Sequence, residues 1–466
     1  MNLAADHINY FNSVCGNENV LTSQDVLIAY GHDETEDLNY PPQVVVKPAT
    51  PQEVSEILKY CNAHKIPVTP IGARTGLSGG ALSVHGGVGM SMEKFNKILN
   101  IDEKNLQVIV EPGVITQVLQ EAVIDKNLFY PVDPSSRGSC FIGGNIAENS
   151  GGPRAVKYGV TKDYVLNLEV VLPTGEIVWT GANTLKNSTG YNLTQLMVGS
   201  EGTLGVITKI VLKLIPYPSQ NVLMLVPFKS AVNACKAVSA VFRAGITPSA
   251  MEFMERDAID WTLKYVDGIN IKVEPHHMAH LLIEVDGFEL EPLYLLAEKI
   301  VAIMQDYECD EVLFADTAEQ KDQLWRMRRR VGEAVKSNSI YKEEDTVVPR
   351  YELPALLEGV KSIGARYGFK SVCYGHAGDG NLHINIIKGD LSDDVWKNEL
   401  PKGITELFEL TKKLGGTLSG EHGIGFVQKN YMPIVFDKVS LDIMKGIKKL
   451  FDPNGILNPG KIFPDV

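Results

Sequence analysis

Two histidines, His376 and His383, stand seven residues apart in the stretch GHAGDGNLHIN, and Asn385 follows two positions after the second. Gly375, Gly378 and Gly380 disfavour a helix here, so the pair must straddle a hairpin or looped turn. Such a turn brings its flanks together, and two imidazoles can then reach one divalent ion at about 2.0–2.1 Å. A histidine pair alone is more often a core or surface feature than a ligand pair, so the reading depends on further groups.

TLSGEHGIG, residues 417–425, supplies two. Glu421 and His422 are adjacent, and neighbours in extended chain point to opposite sides. The economical division sends Glu421 to the metal and His422 toward a substrate. Asn385 shares a strand face with His383 and is placed to hydrogen-bond the same ligand. Two imidazoles and a carboxylate with an open position suit Zn²⁺ first, with Fe²⁺ and Mn²⁺ as alternatives.

Three glycine-rich stretches precede this chemistry: PIGARTGLSGGALSVHGG (70–87), VDPSSRGSCFIGGNIAENSGGPRAVKYG (132–159) and GSEGTLGVIT (199–208). Glycines let backbone N–H groups approach an anion, and successive N–H groups make a nest for phosphate. The spacing is neither the dinucleotide fingerprint nor the Walker pattern, so NAD and ATP do not follow. Three such loops suit a long cofactor touching backbone along its length, with a pyrophosphate in one nest and a flavin ring against another.

The elements that must position these groups are legible in part. Val44–Val46, a helix opened by Thr50, Pro51 and Glu53 with apolar Val54, Ile57, Leu58 and Cys61, and a strand over 66–69 form a βαβ unit, which ordinarily sets parallel strands side by side. VLNLEVVLPTGEIVWTG reads as a hairpin, and YPSQ after the strand 206–216 reads as a boundary. A chain of 466 residues, 44% apolar and 22% charged, has material for two or three globular domains. Its 57 acidic and 44 basic side chains leave 13 negative charges, which disfavours nucleic acid as a partner. The six cysteines form no C-x-x-C pair, against a cysteine-ligated zinc or iron–sulfur centre. Without a basic, apolar leader or a spanning apolar run, the expectation is a cytoplasmic protein with no transmembrane segment, reaching a membrane only through a partner.

In combination, TGLSGGA, DPSS, IGGNIAENSGGPRAVKYG, GSEGTLGVIT, GHAGDGNLH, SGEHGIG and NPGK resemble the vanillyl-alcohol oxidase family, in its branch of FAD-linked D-2-hydroxy-acid dehydrogenases. The resemblance runs from about residue 40 to 464. It implies an α+β protein: a two-subdomain FAD-binding domain (1–217), an inserted α+β cap with an antiparallel sheet for substrate and metal (218–423), and a C-terminal segment (424–466) returning to the FAD domain. It implies that Pro70, Gly72, Ala73, Arg74, Thr75, Gly76, Gly79 and Gly80 cradle the FAD pyrophosphate, and that Pro134, Gly143, Gly144, Asn145, Ala147 and Asn149 line the flavin and ribityl side. Gly202, Gly205 and Ile207 fall on the adenosine or ribityl side, and Asn458 of NPGK joins the cofactor set.

Arg74 replaces a smaller residue and either lies over the pyrophosphate or points to solvent. No histidine occupies the positions where some members attach FAD, so FAD is expected to be non-covalent. The resemblance further implies His376, His383 and Glu421 as metal ligands, His422 as catalytic base, Arg328 of WRMRRRVGEA as the substrate-carboxylate arginine, and Lys342 and Asn385 on the substrate. Arg326, Arg329 and Arg330 are expected to be solvated. Where hydroxyglutarate-type relatives carry threonine, this chain has Gly332, which leaves room for a smaller acid.

The expected reaction is oxidation of a D-2-hydroxy acid, D-lactate first, to its 2-keto acid. D-2-hydroxyglutarate dehydrogenase and the glycolate oxidase flavin subunit are the alternatives. With no second redox centre in the chain, the electrons are expected to leave to an electron-transferring flavoprotein, a quinone, a cytochrome or an iron–sulfur subunit; a homodimer is compatible. A metallohydrolase and a catalytically silent FAD scaffold are rivals of other classes.

Overall fold

Thr50 starts the first long helix, Pro51–His64: its Oγ1 accepts the Glu53 N–H at 3.2 Å, while the Glu53 carboxylate accepts from Ala49 N at 2.8 Å. The cap is therefore the expected one, shifted by a residue on its return arm. Val54, Ile57, Leu58 and Cys61 are sealed in the core at the expected helical spacing.

The computed structural model describes residues 3–36 and 38–465. The chain forms two compact units: Met1–Gly151, Val160–Tyr217 and Glu421–Val466 make one, and Gly152–Gly159 with Pro218–Gly420 the other. The first unit holds β1 (Val20–Leu21), β2 (Val44–Val46), β3 (Val68–Ile71) and β4 (Val88–Ser91) in the order β1-β2-β4-β3. Strands β2 and β3 are parallel, as the βαβ reading expects, but they are not neighbours: β4 lies between them. Gly89 makes that insertion possible, because a Cβ there would stand 2.9 Å from Ile71 and 3.0 Å from Pro42. A second, antiparallel sheet takes β5 (Ile98–Asp102), β6 (Gln107–Val110), β8 (Val165–Val171), β9 (Ile177–Trp179) and β10 (Val206–Lys213) in the order β5-β6-β10-β8-β9, while β7 (Leu128–Phe129) pairs with β11 (Ile215–Pro216). The hairpin expected around Pro173-Thr174-Gly175 is β8–β9.

The second unit is built on a seven-stranded antiparallel sheet. Its strands are β12 (Gln220–Phe228), β13 (Ala250–Glu255), β14 (Ala279–Gly287), β15 (Leu313–Phe314), β16 (Tyr341–Val347), β17 (Lys370–Gly375) and β18 (Asn381–Ile387), ordered β15-β12-β14-β13-β17-β18-β16. The segment 152–159 groups with this sheet rather than with the sequence around it. Lys157 Nζ and Tyr158 Oη reach the Asp286 carboxylate of β14 at 2.5 and 2.9 Å, and Arg154 pairs with Glu284 at 3.3 Å. Among the described residues no helix is long and apolar enough to cross a membrane.

The β17–β18 hairpin carries the two histidines across a single turn of 3₁₀ helix, Ala377–Asp379. Two of its glycines are sterically required. A Cβ on Gly375 would lie 2.4 Å from Asn381 O, and one on Gly380, held at φ +78°, would lie 2.0 Å from Val348 O. Gly446 differs: it sits inside helix Lys438–Phe451 with nothing near its missing Cβ. Denaturant unfolding of single variants is therefore expected to move in opposite directions, Gly380→Ala losing more than about 1 kcal/mol and Gly446→Ala gaining roughly 0.5–1 kcal/mol. Equal effects of the two would contradict the steric assignment.

Candidate active site

Strand register decides which side chains share a face. Asp345 stands opposite His383 and Glu343 opposite Asn385 across β16–β18, and Tyr374 is opposite His383 across β17–β18. Side chains alternate along a strand, so Glu343, Asp345, Tyr374, His383 and Asn385 line one face of the sheet. Lys342, expected on the substrate, belongs to the other face with Glu344, one residue out of phase. Glu343 is the neighbour that shares the face of Asn385.

His376 follows the last residue of β17, and its ring is 5.3 Å from that of His383 at 84°. The imidazole is held from behind: Nδ1 lies 2.8 and 3.0 Å from the two oxygens of Glu252 on β13, a carboxylate with no solvent exposure. A neutral imidazole that donates Nδ1–H to a carboxylate presents its Nε2 lone pair, the usual arrangement behind a metal-bound histidine. The same Glu252 Oε2 stands 2.8 Å from Arg328 Nη2. Arg328 is 2% exposed and its guanidinium lies 5.1 Å from the centre of the Tyr374 ring, whereas Arg326 is exposed and Arg329 stacks on Trp325. Of the four arginines in this run, Arg328 is the one that is buried.

Asp345 does for the carboxyl-terminal motif what Glu252 does for His376. Its carboxylate accepts from Asn381 Nδ2 at 2.7 Å, from Ser419 Oγ at 2.8 Å and from Gly420 N at 2.9 Å, and it stands 3.5 Å from His383 Nδ1. Thr417 bridges Val347. The residues leading into Glu421 are therefore pinned to β16, and Glu421 is the next residue in the chain. Glu421 and His422 lie in a bend, not in extended chain, so strand alternation is not what separates their side chains. Glu421 shares its own unit with Gly151, where a Cβ would stand 2.9 Å from Glu421 Oε2.

Asn385 has no solvent exposure, and neither its Nδ2 nor its Oδ1 has a hydrogen-bond partner among the described residues. Arg328 Nε is buried without one as well. Leaving a buried amide unmatched costs about 1–3 kcal/mol, so such groups mark a place where a ligand completes the bonding.

In the first unit the glycine loops separate into two kinds. Gly72, Gly76 and Gly144 face open space where a Cβ would be, which fits backbone-lined contact with an extended cofactor. Gly143 and Gly205 are small for the protein's own sake, since a Cβ would meet Pro112 at 2.6 Å and Val170 at 2.3 Å. Residues Ile142–Glu148 form a short α-helix despite their glycines, where the sequence suggested loop. Three amides expected on the cofactor are committed internally: Asn145 Oδ1 accepts from Thr116, Asn149 Oδ1 from Lys162 N, and Asn458 Nδ2 donates to Gly80 O and Glu201 O. Their backbone N–H groups are committed as well, to Phe141 O, Ile146 O and Val68 O. Arg74 lies on the Tyr30 ring, 4.5 Å from its centre, and donates to Ala29 O.

Ala73, Thr75, Pro134, Ala147 and Ile207 are half-buried along the same loops, and Pro70 of β3 packs against Gly202, as Gly79 does against Phe426. Glu201 accepts from Ile424 N and Gly425 N, and Lys461 donates to Gly80 O and Leu82 O, drawing the loops together. Burial lowers the Lys461 ammonium to about 8, while burial and then the neighbouring Glu201 and Asp33 push the Glu148 carboxyl well above the usual range.

Both cofactor tests are met by residues present: open glycine edges for FAD, and an oriented His376 beside His383 for a metal. The chain matches the FAD binding domain over residues 42–181 and the C-terminal domain of FAD linked oxidases over 217–462. It is 40% identical to the D-lactate dehydrogenase of Anaerostipes hadrus, covering 90% of this chain and 89% of that one. It is also 40% identical to glycolate oxidase subunit GlcD of Bacillus subtilis (97% and 95% covered), and 35% identical to the D-2-hydroxyglutarate dehydrogenase of Stutzerimonas stutzeri (95% and 96%). The fold is that of a p-cresol methylhydroxylase, with a TM-score of 0.77 at 19% identity covering 99% and 96% of the two chains. A 4-ethylphenol oxidase from Gulosibacter chungangensis gives 0.76 at 18% identity, covering 99% and 97%. A glycine-lined cofactor unit and a sheet face of buried histidines thus meet an agreement running nearly end to end, and the chain belongs to the FAD-linked oxidases.

Proposed function

We propose that the protein oxidises a D-2-hydroxy acid, D-lactate before larger acids, to the corresponding 2-keto acid. The observation that carries this reading is Asn385, a fully buried amide with both polar atoms unmatched, on the sheet face whose Tyr374 carries the buried and partly unmatched guanidinium of Arg328. A 2-hydroxy carboxylate offers what those atoms lack: acceptor oxygens for N–H donors and a hydroxyl for the amide oxygen. The curated relatives act on small 2-hydroxy acids by name, and the class, not the individual acid, is what they share.

In this reading Arg328 fixes the carboxylate and Asn385 the hydroxyl side, which orients C2 and its hydrogen. His422 takes the hydroxyl proton. Flavin, when bound, supplies the hydride acceptor, and a divalent ion held by His376, His383 and Glu421 supplies Lewis acidity toward the hydroxyl. Glu252 fixes the His376 ring through Nδ1, and it balances the Arg328 charge in the absence of substrate. The electrons then pass to an external acceptor. Gly332 favours a short acid: a Cβ there would stand 2.9 Å from Tyr374 Oη, so a larger residue would shift the ring over which Arg328 lies.

Anaerobic titration of the yellow protein tests the assignment. D-Lactate is expected to bleach wild type. His422→Ala is expected to keep its flavin but slow bleaching by at least 10²-fold, the scale of a lost general base; bleaching at the wild-type rate would refute the base. Asn385→Ala should raise KM or lower kcat/KM by about tenfold while leaving flavin content unchanged. A third variant separates positioning from structure: Glu252→Gln is expected to weaken retention of the divalent ion about 10–100-fold, read by metal analysis after dialysis. Undiminished retention in folded Glu252→Gln would remove Glu252 from the account.

A further inference from the structure

A second cluster of metal-binding side chains lies in the second unit, on the loops that lead into β14 and β15. His276 Nε2 and His277 Nε2 approach one oxygen of Asp310, Oδ2, at 2.8 and 3.1 Å. We propose that His276, His277 and Asp310 form a divalent transition-metal site of the zinc class, distinct from the one assigned to His376, His383 and Glu421.

Three arguments carry it. The donor set is right: two imidazole nitrogens and a carboxylate oxygen are ordinary ligands of Zn²⁺ and of Ni²⁺ or Co²⁺. The spacing is compatible as well. Ligands about 2.0–2.1 Å from a tetrahedral ion stand roughly 3.3 Å from one another, so the two His–Asp separations need to change by only a few tenths of an ångström, and the ligand atoms of all three lie within 4.8 Å of one another.

The third argument is pre-organisation. Both ligand-bearing segments are fastened to the end of one strand: Asp310 N donates to Pro227 O at 3.0 Å, Met278 N donates to Phe228 O at 2.8 Å, and Phe228 bridges Cys309. The loop ahead of the histidines is held by Arg256, whose Nη1 donates to Glu274 O at 2.8 Å and to His277 O at 3.4 Å. His277 and Asp310 are thus placed by backbone before any ion arrives, so little ordering remains for binding to supply. Lys229 occupies the other Asp310 oxygen, Oδ1, at 3.2 Å and leaves Oδ2 to the imidazoles. The three ligands also line a groove of about 720 Å³ with Asn270, Gln320 and Gln323, which leaves space and polar groups for water at the remaining position.

The test compares wild type with His276→Ala and Asp310→Asn, each as the flavin-loaded protein stripped with chelator and dialysed against micromolar free Zn²⁺. His276 is half exposed, so its truncation leaves the core untouched, and flavin content reports folding in every sample. Wild type is expected to retain one zinc per chain more than either variant, with a zinc-induced rise in Tm that both variants lose in part and with unchanged bleaching by D-lactate. The difference of one zinc holds whether or not the catalytic residues take a metal, so failure of that assignment is read separately, from the number of ions left in the variants. Equal zinc retention in wild type and both variants would overturn the site.

Discussion

A carboxylate sealed from water is stable only if cations and N–H donors surround it, and Glu252 is such a group, with no exposure and with His376 and Arg328 both at 2.8 Å. Removing either partner would leave a buried charge exposed to low dielectric, a loss commonly of about 3–5 kcal/mol. The pairing therefore fixes two side chains that come from distant parts of the chain. It also fixes how they are turned: the imidazole points Nδ1 at the carboxylate, and the guanidinium keeps an unmatched Nε.

The rest of the sheet face follows from register. Because β16, β17 and β18 are antiparallel neighbours, one alternation brings Glu343, Asp345, Tyr374, His383 and Asn385 to the same side. Asp345 extends this order beyond the sheet by holding Ser419 and Gly420, so the backbone entering Glu421 is fixed before the carboxylate itself is considered. A second buried carboxylate, Glu201, does comparable work in the first unit by capping the N–H groups of Ile424 and Gly425. Both ends of the motif SGEHGIG are thus held by acids remote in sequence.

Local chemistry was legible wherever it is set by neighbouring residues. The Thr50 cap and the β8–β9 and β17–β18 hairpins all follow from turn and capping residues a few positions apart. What escaped was set by distance. Glu252 lies 124 residues from His376, and no spacing rule links them. Lys342 illustrates the period of two: it lies on the face opposite Asn385, and register is not readable from one strand alone. The insertion of β4 between β2 and β3 depends on Gly89 fitting against Ile71 and Pro42, a packing fact. The amides Asn145, Asn149 and Asn458 sit in the expected loops, yet their side chains complete the loops' own bonding instead of facing outward.

The central proposal is that the protein oxidises a D-2-hydroxy acid bound by Asn385 and Arg328, with bound flavin accepting the hydride from C2. Anaerobic stopped-flow bleaching with D-lactate and with D-lactate deuterated at C2 tests it most directly. The account predicts full bleaching, slower with the deuterated acid and absent with the L-enantiomer. Stoichiometric flavin that stays oxidised with D-lactate, glycolate, malate and D-2-hydroxyglutarate alike would contradict it.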